Sequence, residues 1–479
     1  MSVGVESAFI LLCCATLLTG GEPGLPAFPG AEGFGARSSG GRGGRVIQVT
    51  NLNDHGPGSL RAACAAKGPR IVVFEVSGVI RSAGRHSIRI SHPDITIAGQ
   101  TAPGAGITVA GIVTAGPPRR GERLDDVTIR FLRVRPSYGE RGGGSGDCFQ
   151  LNAIDRLILD HVSCAWGSDE NVDLCSSRDI TIQWSTIEES RIAHEGHSLH
   201  NYGMILGYVA GDATLHHNLF AHHSERAPLC GLDTLDHRNN VIYNVMAAIQ
   251  YHPTRMNRRD QRMYRLNLVG CYFKDGPAGP IGIRPWLPPP NRADPGIADW
   301  QNARTYGKGN YWARLGRHAD YDPKLEQAVK ARPKCKVDEP WPVPPVTTHP
   351  AKEAYKLVLR KAGCLPRDAV TKRTVREVRT GTGYWGRQVP PTGLMQGLTP
   401  GRPPTDSDDD GMPDEWEALH GLDPKDPGDA TKTVPKGASE NDRHRGYTYI
   451  EYYVNELADT LVERAAKVPK TPESPETKW

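Results

Sequence analysis

The sequence predicts an all-β chain wound as a solenoid, a parallel β-helix. Three observations lead there. Glycine (53) and proline (39) are abundant in the 479 residues while aromatic residues make up only 7%, which suits many short strands joined by tight turns rather than a helical bundle. Short β-type runs recur through the middle of the chain. No helical pattern of the kind a βαβ unit needs lies between them.

From the N-terminus, the apolar run Ala8–Leu18 followed by Thr19-Gly20-Gly21 reads as the hydrophobic part of a secretory signal over residues 1–21, although it lacks a preceding Lys or Arg. It is too short to span a bilayer, so the expectation is a secreted (extracellular or periplasmic) protein with no membrane span. Ser59–Ala66 reads as a short amphipathic helix that could cap the solenoid. The recurring runs are Ile71–Ile80, Asp94–Ala98, Asp126–Val134, Arg156–Cys164, Asp179–Ile187, Ala213–Ala221, Leu235–Tyr243 and Tyr264–Phe273, with starts 22 to 34 residues apart. One coil of this size cannot bury its own apolar face, but stacked coils bury a continuous inner column and pair their backbone groups. A β-sandwich also has short strands, but it needs hairpin turns, which are sparse here.

The solenoid domain is expected over residues 22–277. Residues 278–388 form a Pro-rich extension in which Ala351–Ala362 and Asp368–Arg379 are helical and pack back on the solenoid. Residues 389–404 look like a linker, 405–460 a small acidic appendage and 461–479 a disordered tail. Eight of the ten cysteines lie beyond the signal; Cys335 and Cys364 could pair, and the absence of CxxC spacing argues against zinc. The net charge of +4 is low for a nucleic-acid partner. It is uneven, since Arg255, Arg258, Arg259, Arg262 and Arg265 form either a solvated loop or a local field that attracts a polyanion. The expected state is a monomer.

The segment from Asp406 to Glu417 (DSDDDGMPDEWE) carries Asp406, Asp408, Asp410, Asp414 and Glu417 at positions one, three, five, nine and twelve, with Gly411 at six. That is the oxygen-donor order of a calcium loop. Its expected role is structural.

The remaining chemistry lies in DVTIRFLRVRP (126–136), LILDHVS (157–163), DENVD (169–173) and TLHHNLFAHHSERAP (214–228). In that order these segments, with Asp179–Ile187 between the last two, resemble the pectate lyases of polysaccharide lyase family 1 over roughly residues 27–275. The likeness is greatest to a bacterial branch with openings like FPGAEGF (28–34) and NLNDHGPGSLR (51–61) and a DxDxDGxxD segment near the end. The resemblance implies a right-handed parallel β-helix that cleaves a polyuronate. It implies calcium held by Asp147, Asp169 and Asp173, and Arg226 as the base, in an RxPxxR pattern whose second Arg is Gly231 here. A further acidic ligand of some members is Ser145 here, and the substrate-binding Lys expected between Glu188 and Gly207 is absent.

The residues read consistently with that chemistry. Removing the C5 proton of a 1,4-linked uronide builds charge beside a carboxylate, which a divalent cation would spread. Hard carboxylate oxygens suit calcium. Strand alternation would put Glu170 on the face opposite Asp169. Arg as base is demanding because guanidinium is normally protonated, and a hydroxide positioned by Arg226 asks less. By alternation Arg133 and Arg135 share a face and could hold sugar carboxylates. Among the histidines, His161 and His217 are expected to hydrogen-bond between coils, and His197 and His200 are the candidates for the cleft. Two other functions remain open at this level: a glycoside hydrolase using Asp233 and Asp236, and a carbohydrate-binding solenoid without catalysis.

Overall fold

The computed structural model describes residues 24–82, 87–117, 119, 121–136, 146–192, 200–207, 209–251, 263–284, 303–321, 326, 333–386 and 393–467. The signal segment, Ser145, His197 and most of the Arg255–Arg265 cluster lie outside these residues. No helix among the described residues is long and apolar enough to cross a membrane.

Most of the predicted runs are two strands meeting at a corner. Asp126–Val134 resolves into Leu124–Arg130 and Arg133–Val134, Arg156–Cys164 into Ile154–Asp160 and Ser163–Ala165, and Asp179–Ile187 into Arg178–Gln183 and Thr186–Glu188. The corner residues Phe131, His161, Trp184 and His217 all have φ between 48° and 55°, a left-handed backbone that turns the chain in a single residue. A third strand per coil, such as Phe149–Leu151, Glu170–Cys175 or Tyr202–Gly207, completes the circuit.

Equivalent strands of successive coils pair in parallel. The first face is a ten-stranded sheet, from Arg45–Val49 to Ala303–Lys308. The other two faces join as one sixteen-stranded sheet, because Leu219–Cys230 and Val241–Tyr251 run on from one face to the next. Register stacks like on like along the interior: Val72, Ile97, Ile129, Leu159, Ile182, Leu215, His237 and Leu268 form one column of the first face. His237 sits in this column fully buried, and burial pushes its imidazole down to about 3, so the ring is neutral. Just past the corner, Asn218 and Asn240 continue the ladder inside: the Asn218 N–H donates to Asn240 Oδ1 at 2.9 Å, and Asn240 Nδ2 donates to the Leu215 carbonyl at 2.7 Å. These side chains satisfy backbone groups that the turn takes out of the strand ladder.

The corner side chains stack outside the coil. Phe131 lies 4.7 Å from His161, and Trp184 lies 4.2 Å from His217, each pair nearly parallel. His161 and His217 thus connect coils through ring stacking; their ring nitrogens bond Asp160, His216 and His349.

At the N-terminal end, α1 (Leu60–Ala65) is capped by Ser59, whose hydroxyl accepts the Ala62 N–H at 3.2 Å, and Leu60 and Cys64 close the core. Two helices cover the second face. α2 (Ala351–Lys361) and α3 (Ala369–Thr380) bring Val358, Leu359, Val375 and Val378 onto Leu219, Ala221, Val241 and Tyr243. At the C-terminus, α4 (Asp414–His420) and α5 (Tyr449–Lys467) lie on the outer side of the first face.

Four expectations need correction. Residues 393–404 are not a free linker: the Thr399 carbonyl accepts the Ala105 N–H at 3.1 Å, Ser77 Oγ accepts the Gly401 N–H at 2.9 Å, and Leu394 packs against Trp166. Residues 461–467 are not a disordered tail: α5 continues to Lys467 because Leu461, Val462 and Ala465 rest on Phe131 and Leu365. Cys335 and Cys364 are separate free thiols in different clusters. Finally, Arg133 and Arg135 open to no cleft: with Val134 in the core they face out of the coil, and the extension covers them. Both are 0% exposed. Asp368, the N-cap of α3, pairs with Arg135 through both oxygens, and Arg133 donates to the Ala105 and Pro366 carbonyls. These guanidinium groups hold the extension to the solenoid and are not substrate contacts.

Removing one member of a buried pair leaves an uncompensated charge. Asp368→Ala should therefore lose about 3–5 kcal/mol of stability in denaturant unfolding; a loss no larger than that of a surface pair would contradict this account.

Candidate active site

The third face gathers the chemistry. Asp147 precedes Phe149–Leu151, which the buried Phe149 anchors in the core. On the next coil, Asp169 lies in the turn before the strand Glu170–Cys175. That strand does not alternate regularly. Asn171 is turned inward, its Oδ1 accepting the Gly167 N–H at 2.8 Å and its Nδ2 donating to the Glu188 carbonyl at 2.6 Å. Val172 faces the core as well. Two successive inward residues put Glu170 and Asp173 on the same outer side, so Glu170 joins Asp169 instead of opposing it.

Carboxylate oxygens of Asp147, Asp169 and Glu170 lie within 4.8 Å of one another. Asp173 stands outside that group, yet its charge acts on Asp147; its Oδ1 accepts the Cys175 N–H at 2.8 Å. Asp147 is 7% exposed, and burial first, then Asp173 and Asp169, push its carboxyl up to about 8. Its Oδ1 accepts the Glu170 N–H at 3.0 Å. Such a crowd of hard oxygens suits a divalent cation.

Arg226 comes from the strand Leu219–Cys230. Register slips between Glu225 and Ala227 where this strand meets Val241–Tyr251, and Arg226 has φ 64°. This bulge re-aims the side chain. The Arg226 N–H donates to Gln250 Oε1 at 3.1 Å, its guanidinium carbon lies 3.8 Å from the centre of the Tyr202 ring, and Nη1 donates to Glu170 Oε1. Arg226 therefore abuts the carboxylate group through Glu170.

His200 lies at the same place. Its Nδ1 is 3.0 Å from Asp169 Oδ1 and its ring 4.9 Å from Tyr202, so it orients Asp169. Glu170, Tyr202 and Gln250 are the residues that sequence reasoning passed over. The buried Asn171 is the cue for Glu170, and Tyr202 follows His200 in HNYG. Gly231 lies just past the strand end, its N–H bonded to the Leu206 carbonyl at 2.7 Å.

The hydrolase candidates lie elsewhere. Asp236 is buried on the first face and paired with Arg238 at 2.9 Å, and Asp233 accepts the Gly211 N–H. Asp236 is therefore committed to Arg238 and is not available as a free acid or base. In the C-terminal loop, Asp406, Asp408 and Asp410 group together, and Glu417 meets Asp410. Burial above all pushes Asp410 to about 7 and Glu417 to about 8. Asp414 is turned away, accepting the Ser407 N–H and hydroxyl, both at 2.7 Å.

No family model matches the chain. Over 452 residues, covering 90% of this chain and 94% of the relative, it is 34% identical to a probable pectate lyase C of Neosartorya fischeri. Over 461 residues, 93% and 97% of the two chains, it is 33% identical to the protein of the same name in Aspergillus flavus. A solved pectate lyase of Bacillus sp. N165 in complex with trigalacturonate is 16% identical and covers 69% of this chain and 98% of its own, with a TM-score of 0.45. A chain with relatives at 34% and 33% identity over nearly its whole length is, like them, a polysaccharide lyase. The chain belongs to the pectate lyase family.

The raised carboxyl of Asp147 gives a pH test in chelator-treated protein. Its folded-state value lies above its ordinary 3.8, so its contribution to stability is fully present below that ordinary value and is lost as pH rises through about 8. Metal-free wild type should lose stability relative to Asp147→Asn across this window. Thermal unfolding at several pH values checks it, and parallel curves for the two proteins would contradict the assignment.

Proposed function

We propose that the chain is a secreted enzyme that cleaves polygalacturonate by calcium-dependent β-elimination, leaving a 4,5-unsaturated sugar at the new non-reducing end. The observation that carries this reading is the contact of Arg226 with a buried carboxylate group on adjoining coils. Export is supported by the apolar run Ala8–Leu18.

Asp147, Asp169 and Glu170 would hold the cation, with Asp173 beside them. Calcium, when bound there, supplies positive charge toward the sugar carboxylate and the charge that develops at C5. The protein's part is positional. Tyr202 and the Gln250 contact fix the guanidinium, and His200 fixes Asp169. While Arg226 is paired with Glu170 it carries its proton. To take the C5 proton it must part from Glu170 and lose that proton, or else align a hydroxide that does the abstraction. The bond from C4 to the leaving oxygen then breaks as the C4–C5 double bond forms. Arg133 and Arg135 are engaged internally, and Gly231 supplies no side chain. Substrate carboxylates would then meet Arg226, with His200, His197 and the Arg255–Arg262 cluster as the further basic candidates.

Incubating the protein with polygalacturonate and calcium should raise ultraviolet absorbance, and chelator should stop the rise. Arg226→Ala should lower turnover by about a hundredfold or more at a temperature where the variant is still folded, its melting curve shifted down because Glu170 loses its partner. New reducing ends without unsaturated product would replace the proposal with hydrolysis.

A further inference from the structure

The acidic loop beyond the solenoid holds a second, unrelated feature. Asp406, Asp408 and Asp410 have carboxylate oxygens within 4.8 Å of one another, and Asp410 shares a second group of the same size with Glu417 and Asp429. Asp429 lies past α4, outside the motif. Glu417 is 0% exposed, Asp429 2% and Asp410 4%. Both oxygens of Glu417, together with Asp408 Oδ2, Asp410 Oδ2 and Asp429 Oδ1, are buried with no hydrogen-bond partner. Leaving one buried carboxylate oxygen unsatisfied is costly, and here those of four side chains stand together.

The loop is also bound to the solenoid. Gln48 Nε2, on the first strand of the first face, donates to Asp406 Oδ2 at 2.7 Å, and the same oxygen accepts the Gly411 N–H at 2.9 Å. Gly411 has φ 93°, and a Cβ there would come within 2.9 Å of Val46 and 3.1 Å of Val73. Met412 packs with Ile71, Val73, Ile450 and Val454. The loop is thus wedged between the outside of the first coils and α5.

We propose that Asp408, Asp410, Glu417 and Asp429, with Asp406 closing the loop, form a calcium site that fastens α4 and α5 to the N-terminal coils of the solenoid. Asp429 takes the place in the ligand set that motif spacing gives to Asp414. Five otherwise unsatisfied oxygens supply most of the six to eight that calcium uses, and Asp406 and water can complete the set. The site is independent of the Arg226 site, and its role is to hold the C-terminal helices in place.

Calorimetric titration of calcium into the chelator-stripped full chain tests this. Glu417→Gln and Asp429→Asn should each bind one calcium fewer than wild type, or bind it about tenfold more weakly or worse. This difference of one holds whether or not the Arg226 site also takes an ion, so failure of either proposal is read separately. Chelator should lower the melting temperature of wild type, and Asp429→Asn should lose most of that response. Asp414→Asn should keep both the ion and the response. Asp429→Asn should still cleave pectate at saturating calcium below its melting temperature. Unchanged stoichiometry and affinity in Asp429→Asn, or equal loss in Asp414→Asn, would overturn the assignment. Should Glu417→Gln fail to fold, Asp429→Asn, a loop position, carries the test.

Discussion

The structure depends on keeping one coil in register with the next. Inward columns such as Ile97, Ile129, Leu159, Ile182 and Leu215 bury apolar surface only if each strand lies directly above its predecessor. A slip of one residue would turn the whole column outward. Corner residues with left-handed backbone and the Asn218–Asn240 ladder hold that register where the ladder of strands is interrupted. The site inherits its accuracy from this, because Asp147, Glu170 and Arg226 come from different coils and meet only when those coils stack correctly.

Within that frame the polar interior divides into two kinds. Arg135 and Asp368 satisfy each other and close the seam between solenoid and extension. The clusters around Asp147 and around Glu417 do not close: like charges are held together with little compensation. A fold retains such local repulsion where something from outside resolves it. Arg226 goes part of the way at the first cluster, through Glu170.

The sequence made the strands legible because β-branched runs recur at coil-like spacing, and it made Ser59 and Asp368 legible as helix starts because each is a capping residue ahead of an amphipathic stretch. Corners were not legible. Left-handed positions are usually marked by glycine, but here Phe131, His161, Trp184 and His217 occupy them. Glu170 escaped because alternation assumes a regular strand and Asn171 breaks it. Arg133 and Arg135 read as open to substrate because Asp368, whose segment covers them, is more than two hundred residues away in sequence. Asp429 escaped for a similar reason, since a loop brings it back to a motif it does not belong to.

The eight described cysteines are all free thiols, seven of them buried, and burial raises the thiols of Cys64, Cys230 and Cys271 to about 12. As thiols they are nearly inert toward oxidants and toward exchange. No covalent cross-link among the described residues has to form before the chain reaches its native state. A reducing environment therefore withholds no cross-link that the described fold needs.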